Sequence, residues 1–259
     1  MHKCKLLGTR VLRILSMYNG FMLNNVNPRE YGIESMDEVI MRSIKEKLDR
    51  ALKGTTTVGI KLNDYVVFAA DKKATSGIYV AHKNVKKIAK INNRCAITIA
   101  GLVADAQTLA DYIRIQANYY EIISKRPMSI RSMASLLSLI LNEYKYFPFI
   151  VQLLLGGYDA YEGPKLFAIE LYGDVTEERY AATGSGSPLA ISVIESSYSE
   201  NMDVDSALTL AVKAVVAATS RDVFSGGVGV DVVVIGKDVY REYTFLSEEI
   251  KSIFGRVLS

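Results

Sequence analysis

Between residues 55 and 245 the spacing of apolar residues switches back and forth between two periods, and this alternation limits the folds open to the chain more than any other feature. Strand-like spacing covers 57–62 and 65–70, joined by an Asn63-Asp64 turn, and then 86–91 and 95–100, separated by Asn92-Asn93. Helical spacing takes over at 102–125 and 129–146, where Leu136, Leu137, Ile140 and Leu141 share one face and Pro127 marks the junction. Strand runs return at 149–155 and 166–171 around Gly163-Pro164. Helices follow at 188–197 and 204–220, then strands at 230–235 and 240–245 and a short helix from Glu248. Pairs of strands separated by pairs of helices bury all of these apolar faces if two sheets meet and each carries a helical layer outside. The expected fold is therefore α+β, a four-layer α/β/β/α sandwich. Residues 36–53 also have near-helical spacing and predict a short helix leading into the body.

Composition sharpens the division at residue 55. The net charge of +3 is uneven: residues 1–54 hold ten Lys/Arg against six Asp/Glu, which leaves 21 against 22 for residues 55–259. The basic excess belongs to a leader, and the body offers no nucleic-acid footprint. Residues 1–54 read as a leader and 55–259 as a single domain; that the leader is removed on maturation is what the resemblance given below implies. Cys4 and Cys95 fall on opposite sides of that boundary, so no disulfide framework is expected and a cytoplasmic, reducing location fits. No apolar run reaches the roughly 18 residues of a membrane span, and Arg10, Arg13 and Asn19 interrupt any secretory core near the start.

The boundary itself carries chemistry. Gly54-Thr55-Thr56-Thr57 lies where the first strand begins. Cutting Gly54–Thr55 would free an α-amine beside the Thr55 hydroxyl, placing nucleophile and base in one residue. A threonine hydroxyl needs such a base, and an α-amine with a reference pKa near ~8 suits the task. Alone, a Gly-Thr pair is an ordinary polar lead into a strand, so its companions decide. The amine would need a positive neighbour, and that neighbour a carboxylate. Asp71 ends the second strand of the hairpin, where it can reach back toward the start of the first. Strand alternation puts Lys87 with Val85 and Ala89, and Lys86 with Lys90, so Lys87 is the half-buried candidate.

Six blocks in order, Thr55-Thr56-Thr57-Val58-Gly59, Ala69 to Thr75, Lys86-Lys87-Ile88, Ile99-Ala100-Gly101, Gly184-Ser185-Gly186 and Ser220 to Gly226, resemble proteasome β subunits of the archaeal type. The resemblance runs from Thr55 to about residue 245. It implies an N-terminal nucleophile hydrolase, a threonine endopeptidase that frees Thr55 by its own cleavage after Gly54. It further implies Lys87 tuning the amine with Asp71 as partner, and Ser185, Asp222 and Ser225 orienting it. Gly101 would supply an oxyanion N–H, and Thr75 and Gly101 would pair with the substrate backbone. Ala74, Val85, Ile99 and Val103 would line the pocket beside the scissile bond; all four are apolar, so cleavage after hydrophobic residues is expected. Partners implied are α subunits and other β subunits in stacked seven-membered rings, an ATP-dependent unfoldase, and unfolded protein substrates. No cofactor, no metal, no nucleic acid and no membrane are expected.

Other chemistries fit less well. The chain has only His2 and His82, the latter expected at the surface, so neither a Ser-His-Asp nor a Cys-His site is supported, and the Cys and His residues lack zinc spacing. Gly227-Val228-Gly229 precedes a strand and not a helix, unlike a dinucleotide fingerprint. Gly184-Ser185-Gly186-Ser187 lacks a following Lys and reads as a tight turn rather than a phosphate cradle. Tyr119-Tyr120 and residues 144–147 lie in helical surroundings. The competing reading is a non-catalytic ring subunit of the same architecture that needs a second β type beside it. An amidase acting on small amides is the third.

Overall fold

The computed structural model describes Arg42, residues 55–76 and residues 79–254. The segment expected to be a leader, Gly54 and the helix expected over 36–53 lie outside the described residues except for Arg42, which is helical. β1 (Thr57–Lys61) and β2 (Tyr65–Asp71) form the expected hairpin, with the Leu62 N–H donating to the Tyr65 carbonyl at 2.8 Å across Asn63-Asp64. β3 (Ala74–Ser76) and β4 (Tyr79–His82) pair as a small sheet in which β4 is exposed throughout, His82 included. Then come β5 (Ile88–Asn92), β6 (Cys95–Gly101), α1 (Val103–Ser124), α2 (Ile130–Glu143), β7 (Val151–Asp159) and β8 (Gly163–Ile169). β9 (Val175–Glu177), β10 (Tyr180–Thr183), α3 (Ser187–Ser197), α4 (Val204–Thr219), β11 (Gly229–Gly236), β12 (Val239–Leu246) and α5 (Ser247–Phe254) complete the order.

Two five-stranded sheets result, β10-β1-β2-β11-β12 and β5-β6-β7-β8-β9, antiparallel throughout. Alternation along the strands then builds three apolar layers. In β2 and β11, Val67, Ala69, Val230, Val232 and Val234 face α3 and α4, where they meet Ile194, Leu210 and Val215. The intervening Val66, Phe68, Val233 and Ile235 face the other sheet and meet Ile88, Leu154 and Leu166. On that sheet's far side Ile97, Leu153, Leu155 and Phe167 meet Leu109, Ile113, Leu137 and Leu141 of α1 and α2. These layers make the α/β/β/α sandwich. Because both faces of each sheet are covered, β7 and β11 read as nearly unbroken apolar runs instead of alternating ones.

Boundaries differ where pairing and not spacing decides them. β5 begins at Ile88 instead of 86; Lys86 and Lys87 lie in its extended lead-in, though the Lys87 carbonyl still accepts the Ile99 N–H at 2.8 Å. β8 begins at Gly163 instead of 166, and α2 ends at Glu143 instead of 146. β3, β4, β9 and β10 were not foreseen, because strands of three or four residues are too short to display a period. β10 matters most, since it pairs with β1 and carries the chain to the turn before α3.

Candidate active site

The hairpin register assembles the first half of the site. Thr57 pairs with Ala70, so Thr56 and Asp71 stand opposite at the open end: the Asp71 N–H donates to the Thr56 carbonyl at 3.1 Å, and the Thr56 N–H to Asp71 Oδ1 at 2.9 Å. Lys87 Nζ donates to the same Oδ1 at 2.7 Å. Oδ2 accepts from the Gly226 N–H at 2.8 Å and the Lys73 N–H at 3.2 Å. Asp71 is fully buried and Lys87 nearly so, whereas Lys86 is exposed and pairs with Glu242. Burial holds the Lys87 ammonium below the ordinary lysine pKa; the attraction and hydrogen bond of Asp71 oppose this, Lys73 adds to it, and Asp222 opposes it further.

The second half comes from the far end of the sequence. After α4 the chain folds back on Asp222, whose carbonyl accepts the Ser225 N–H at 3.2 Å and whose Oδ1 accepts the Phe224 N–H at 3.2 Å. Asp222 Oδ2 accepts from Ser185 Oγ at 2.6 Å and from Ser225 Oγ at 2.5 Å. Ser225 has one hydroxyl proton and Asp222 takes it, so in the 2.7 Å contact between Thr56 Oγ1 and Ser225 Oγ the threonine donates. Likewise Ser185 spends its proton on Asp222, which leaves its 3.4 Å approach to the Thr55 carbonyl a weak contact. That carbonyl also faces the Gly186 N–H at 3.4 Å. Gly184 permits the approach: its φ of +89° is a conformation L side chains rarely adopt, and an added Cβ would lie 2.2 Å from the Thr55 oxygen.

Thr55 itself is buried at the head of β1. Asp71, Lys87, Ser185, Asp222 and Ser225 are thus joined by direct hydrogen bonds to one another or to residues 55 and 56. Gly101 ends β6 with φ +103°, where a Cβ would meet the Ile150 carbonyl oxygen at 2.3 Å. Thr75, in β3, has a buried hydroxyl with no hydrogen-bond partner among the described residues. Ala74 and Val85 are half-buried; the Val85 N–H donates to the Lys72 carbonyl at 2.9 Å, and Ala74 pairs with His82 of β4. Ile99 is bound by its N–H to Lys87, but its side chain belongs largely to the core under α1. Val103, the first residue of α1, is exposed. Sequence reasoning missed three contributors. Thr56 supplies a hydroxyl and an N–H, Lys73 holds the Val223 carbonyl at 2.7 Å, and Thr57 ties β1 to Thr183 and Thr98 at 2.7 and 2.9 Å. All three lie inside the sequence blocks read above, Thr56 and Thr57 after Thr55 and Lys73 between Asp71 and Thr75, but no role was assigned to them there.

Around residues 55 and 56 the fold therefore gathers a buried ammonium, a buried carboxylate with four donors, and two serine hydroxyls ordered by a second carboxylate. A cation so placed disfavours a second positive charge, and fixed hydroxyls define where protons sit; both are what a hydroxyl nucleophile with an amine base requires. Among the described residues no cluster of three or more His, Cys, Asp or Glu is positioned to hold a metal ion, and no helix is long and apolar enough to cross a membrane.

Comparison with known proteins agrees with the architecture. The family model described as "Proteasome subunit" matches residues 51–235. The chain is 58% identical over 204 residues to "Proteasome subunit beta 2" of Hyperthermus butylicus, covering 79% of this chain and 93% of that protein. It is 55% identical over 193 residues to the protein of the same name from Staphylothermus marinus (74% and 92%), and 48% identical over 208 residues to "Proteasome subunit beta 1" of Korarchaeum cryptofilum (80% and 98%). With most of its length inside the family and its relatives covered almost end to end, the chain belongs to the proteasome subunit family, among the β subunits of the archaeal type.

Proposed function

We propose that the chain is a threonine endopeptidase, the catalytic β subunit of a proteasome core particle that degrades unfolded proteins in a closed chamber. The observation that carries this reading is the Lys87–Asp71 pair, buried beneath the head of β1 and hydrogen-bonded to Thr56. Cleavage of Gly54–Thr55 frees the Thr55 amine. Thr55 Oγ attacks the substrate carbonyl while the amine, through a water, takes its proton; the Gly101 N–H donates to the oxyanion. The leaving amine takes the proton back, and water activated by the same amine hydrolyses the Thr55 ester. Lys87 favours the neutral amine by charge repulsion, and Asp71 keeps Lys87 in place. Ser185, Asp222 and Ser225 orient the amine. Thr75 and Gly101 pair with the substrate backbone, and Ala74, Val85, Ile99 and Val103 favour cleavage after apolar residues.

Proteasome β subunits in general form stacked rings with α subunits, and this chain has surfaces suited to such contacts. Tyr112, Ile115, Tyr119, Ile122 and Ile123 form an exposed apolar stripe along α1. Seven-membered rings, an ATP-dependent unfoldase as feeder and a cytoplasmic setting belong to the same proposal. The names "beta 1" and "beta 2" among the relatives favour a second β type in the particle, and with it the alternative of a structural subunit. Intact mass of the assembled protein and of Thr55→Ala separates the readings. A protease yields a chain starting at Thr55, and Thr55→Ala retains its leader and loses peptidase activity. A wild-type particle that keeps Gly54 and still digests peptides refutes the proposal.

A further inference from the structure

We propose that the buried pair of Lys72 with Asp231, together with the Thr244 hydroxyl, is a positioning clamp that fixes Asp71, and through it Lys87, for the reaction proposed above. Lys72 Nζ donates to both Asp231 oxygens at 2.6 Å, and Thr244 Oγ1 donates to Oδ1 at 2.7 Å; Lys72 and Asp231 are both buried. By alternation Asp231 continues the β11 face of Val233 and Ile235, and Lys72 the β2 face of Phe68 and Ala70. The pair therefore closes the edge of the layer between the sheets, immediately beside Asp71 in the chain.

Residue 72 is also where three site segments cross. Its N–H donates to the Gly226 carbonyl at 2.8 Å, and its carbonyl accepts the Val85 N–H at 2.9 Å. The first bond holds the loop that brings Ser225 and the Gly226 N–H to the site, the second the segment that delivers Lys87. A buried ion pair is poor evidence for stability, since an apolar pair of similar size often holds a fold as well. What the three charge-assisted bonds add is direction: they set Lys72 in one place, and with it the peptide carrying Asp71. Neither Lys72 nor Asp231 hydrogen-bonds to a group proposed to react, so both are positioning residues.

This inference rests on the protease reading, and its test separates the two. In the assembled particle, Lys72→Met combined with Asp231→Val removes the pair without changing net charge. The readouts are kcat and KM for a fluorogenic peptide per active site titrated, the acid limb of the pH profile, and amide exchange at Thr56 and Gly226, whose N–H groups bind Asp71. Expected are a kcat at least ~10-fold lower with KM nearly unchanged, an acid limb moved to higher pH because Lys87 no longer opposes amine protonation as closely, and exchange at least ~10-fold faster at both amides. Lys72→Arg, which keeps the cation and its two bonds, is expected to restore all three. Unchanged exchange and unchanged kcat in the double variant overturn the clamp. If that variant does not assemble, Thr244→Val, which strips only the hydroxyl, is read the same way, and the same null result overturns it. Amide exchange needs no turnover, so the clamp is tested even if Thr55→Ala shows the protease reading to be wrong.

Discussion

Gly184→Ala tests the geometry at residue 55 with one carbon. At φ +89° an L residue incurs about 1–2 kcal/mol of backbone strain. The added Cβ would also stand 2.2 Å from the Thr55 carbonyl oxygen, short of van der Waals contact by more than about 1 Å. Either β10 and the turn before α3 retreat, or the Thr55 peptide moves by about that distance. A shift of ~1 Å at reacting atoms lowers rates by about 100-fold, equivalent to ~2.7 kcal/mol in the barrier. Gly163→Ala is the control: its φ is +76°, but a Cβ there meets nothing within 4 Å. Gly163→Ala is expected to lose about 2–8 °C of melting temperature from the backbone strain, and Gly184→Ala at least as much, because the clash adds to the same strain. On the proposed function, only Gly184→Ala is expected to lose peptidase turnover per titrated site, and with it the rate of the proposed cleavage after Gly54. Equal activities in the two variants would refute the claim that the close approach, and not backbone strain, is what matters at residue 184.

Three further outcomes follow from single groups. Lys87 has a folded-state pKa below its unfolded value, so between the two the unfolded chain binds more protons and this group's contribution to stability rises with pH; Lys87→Met should flatten that alkaline slope in denaturant titrations, and an unchanged slope contradicts the assignment. Asp159 is buried and accepts from the Ile130 N–H at the start of α2 at 2.6 Å and from the Tyr161 and Glu162 N–H groups at 2.8 and 3.2 Å, so Asp159→Asn should lower unfolding free energy by ~1–3 kcal/mol, read as a shifted urea midpoint. Burial alone would raise the pKa of Glu177, but hydrogen bonds from Lys165 and Arg131 outweigh it and hold the carboxyl low. Its stability is then present above the ordinary carboxylate value and lost as pH falls through the lowered one, and Glu177→Gln should cost no more than ~1 kcal/mol at neutral pH and weaken the acid dependence.

How much of this was legible depends on how local the cause is. A two-residue turn at Asn63-Asp64 fixes the register of β1 and β2, and that register sets Thr56 against Asp71 without help from the rest of the chain. The choice of Lys87 over Lys86 as the half-buried lysine followed from alternation, although β5 starts only at Ile88, because the lead-in is equally extended; its role came from the resemblance. Ser185, Asp222 and Ser225 were named by resemblance and not by pattern. The turn before α3 and the loop after α4 meet residues 55 and 56 only through sheet order and helix packing across 130 and 169 positions, respectively, in the contacts of Ser185 with Thr55 and of Ser225 with Thr56. β10 was invisible for a related reason: the four residues Tyr-Ala-Ala-Thr are too few to show a period, and it is pairing with the edge of β1 that makes them a strand.

The number of donors on Asp71 bears on why a lysine sits there. A carboxylate facing an ammonium alone would nearly cancel its field. Here Asp71 also accepts from the backbone N–H groups of Thr56, Lys73 and Gly226, which disperse its negative charge before Lys87 is counted. The positive charge of Lys87 is then only partly offset, and the charge of Lys73 acts with it. In the proposed reaction that residual field is what keeps the Thr55 amine neutral and ready to accept a proton. Burial, which costs the ammonium its hydration, thereby removes the water that would otherwise screen it. The same enclosure that destabilises Lys87 makes its charge effective at short range, so the site needs the pair buried and not merely paired.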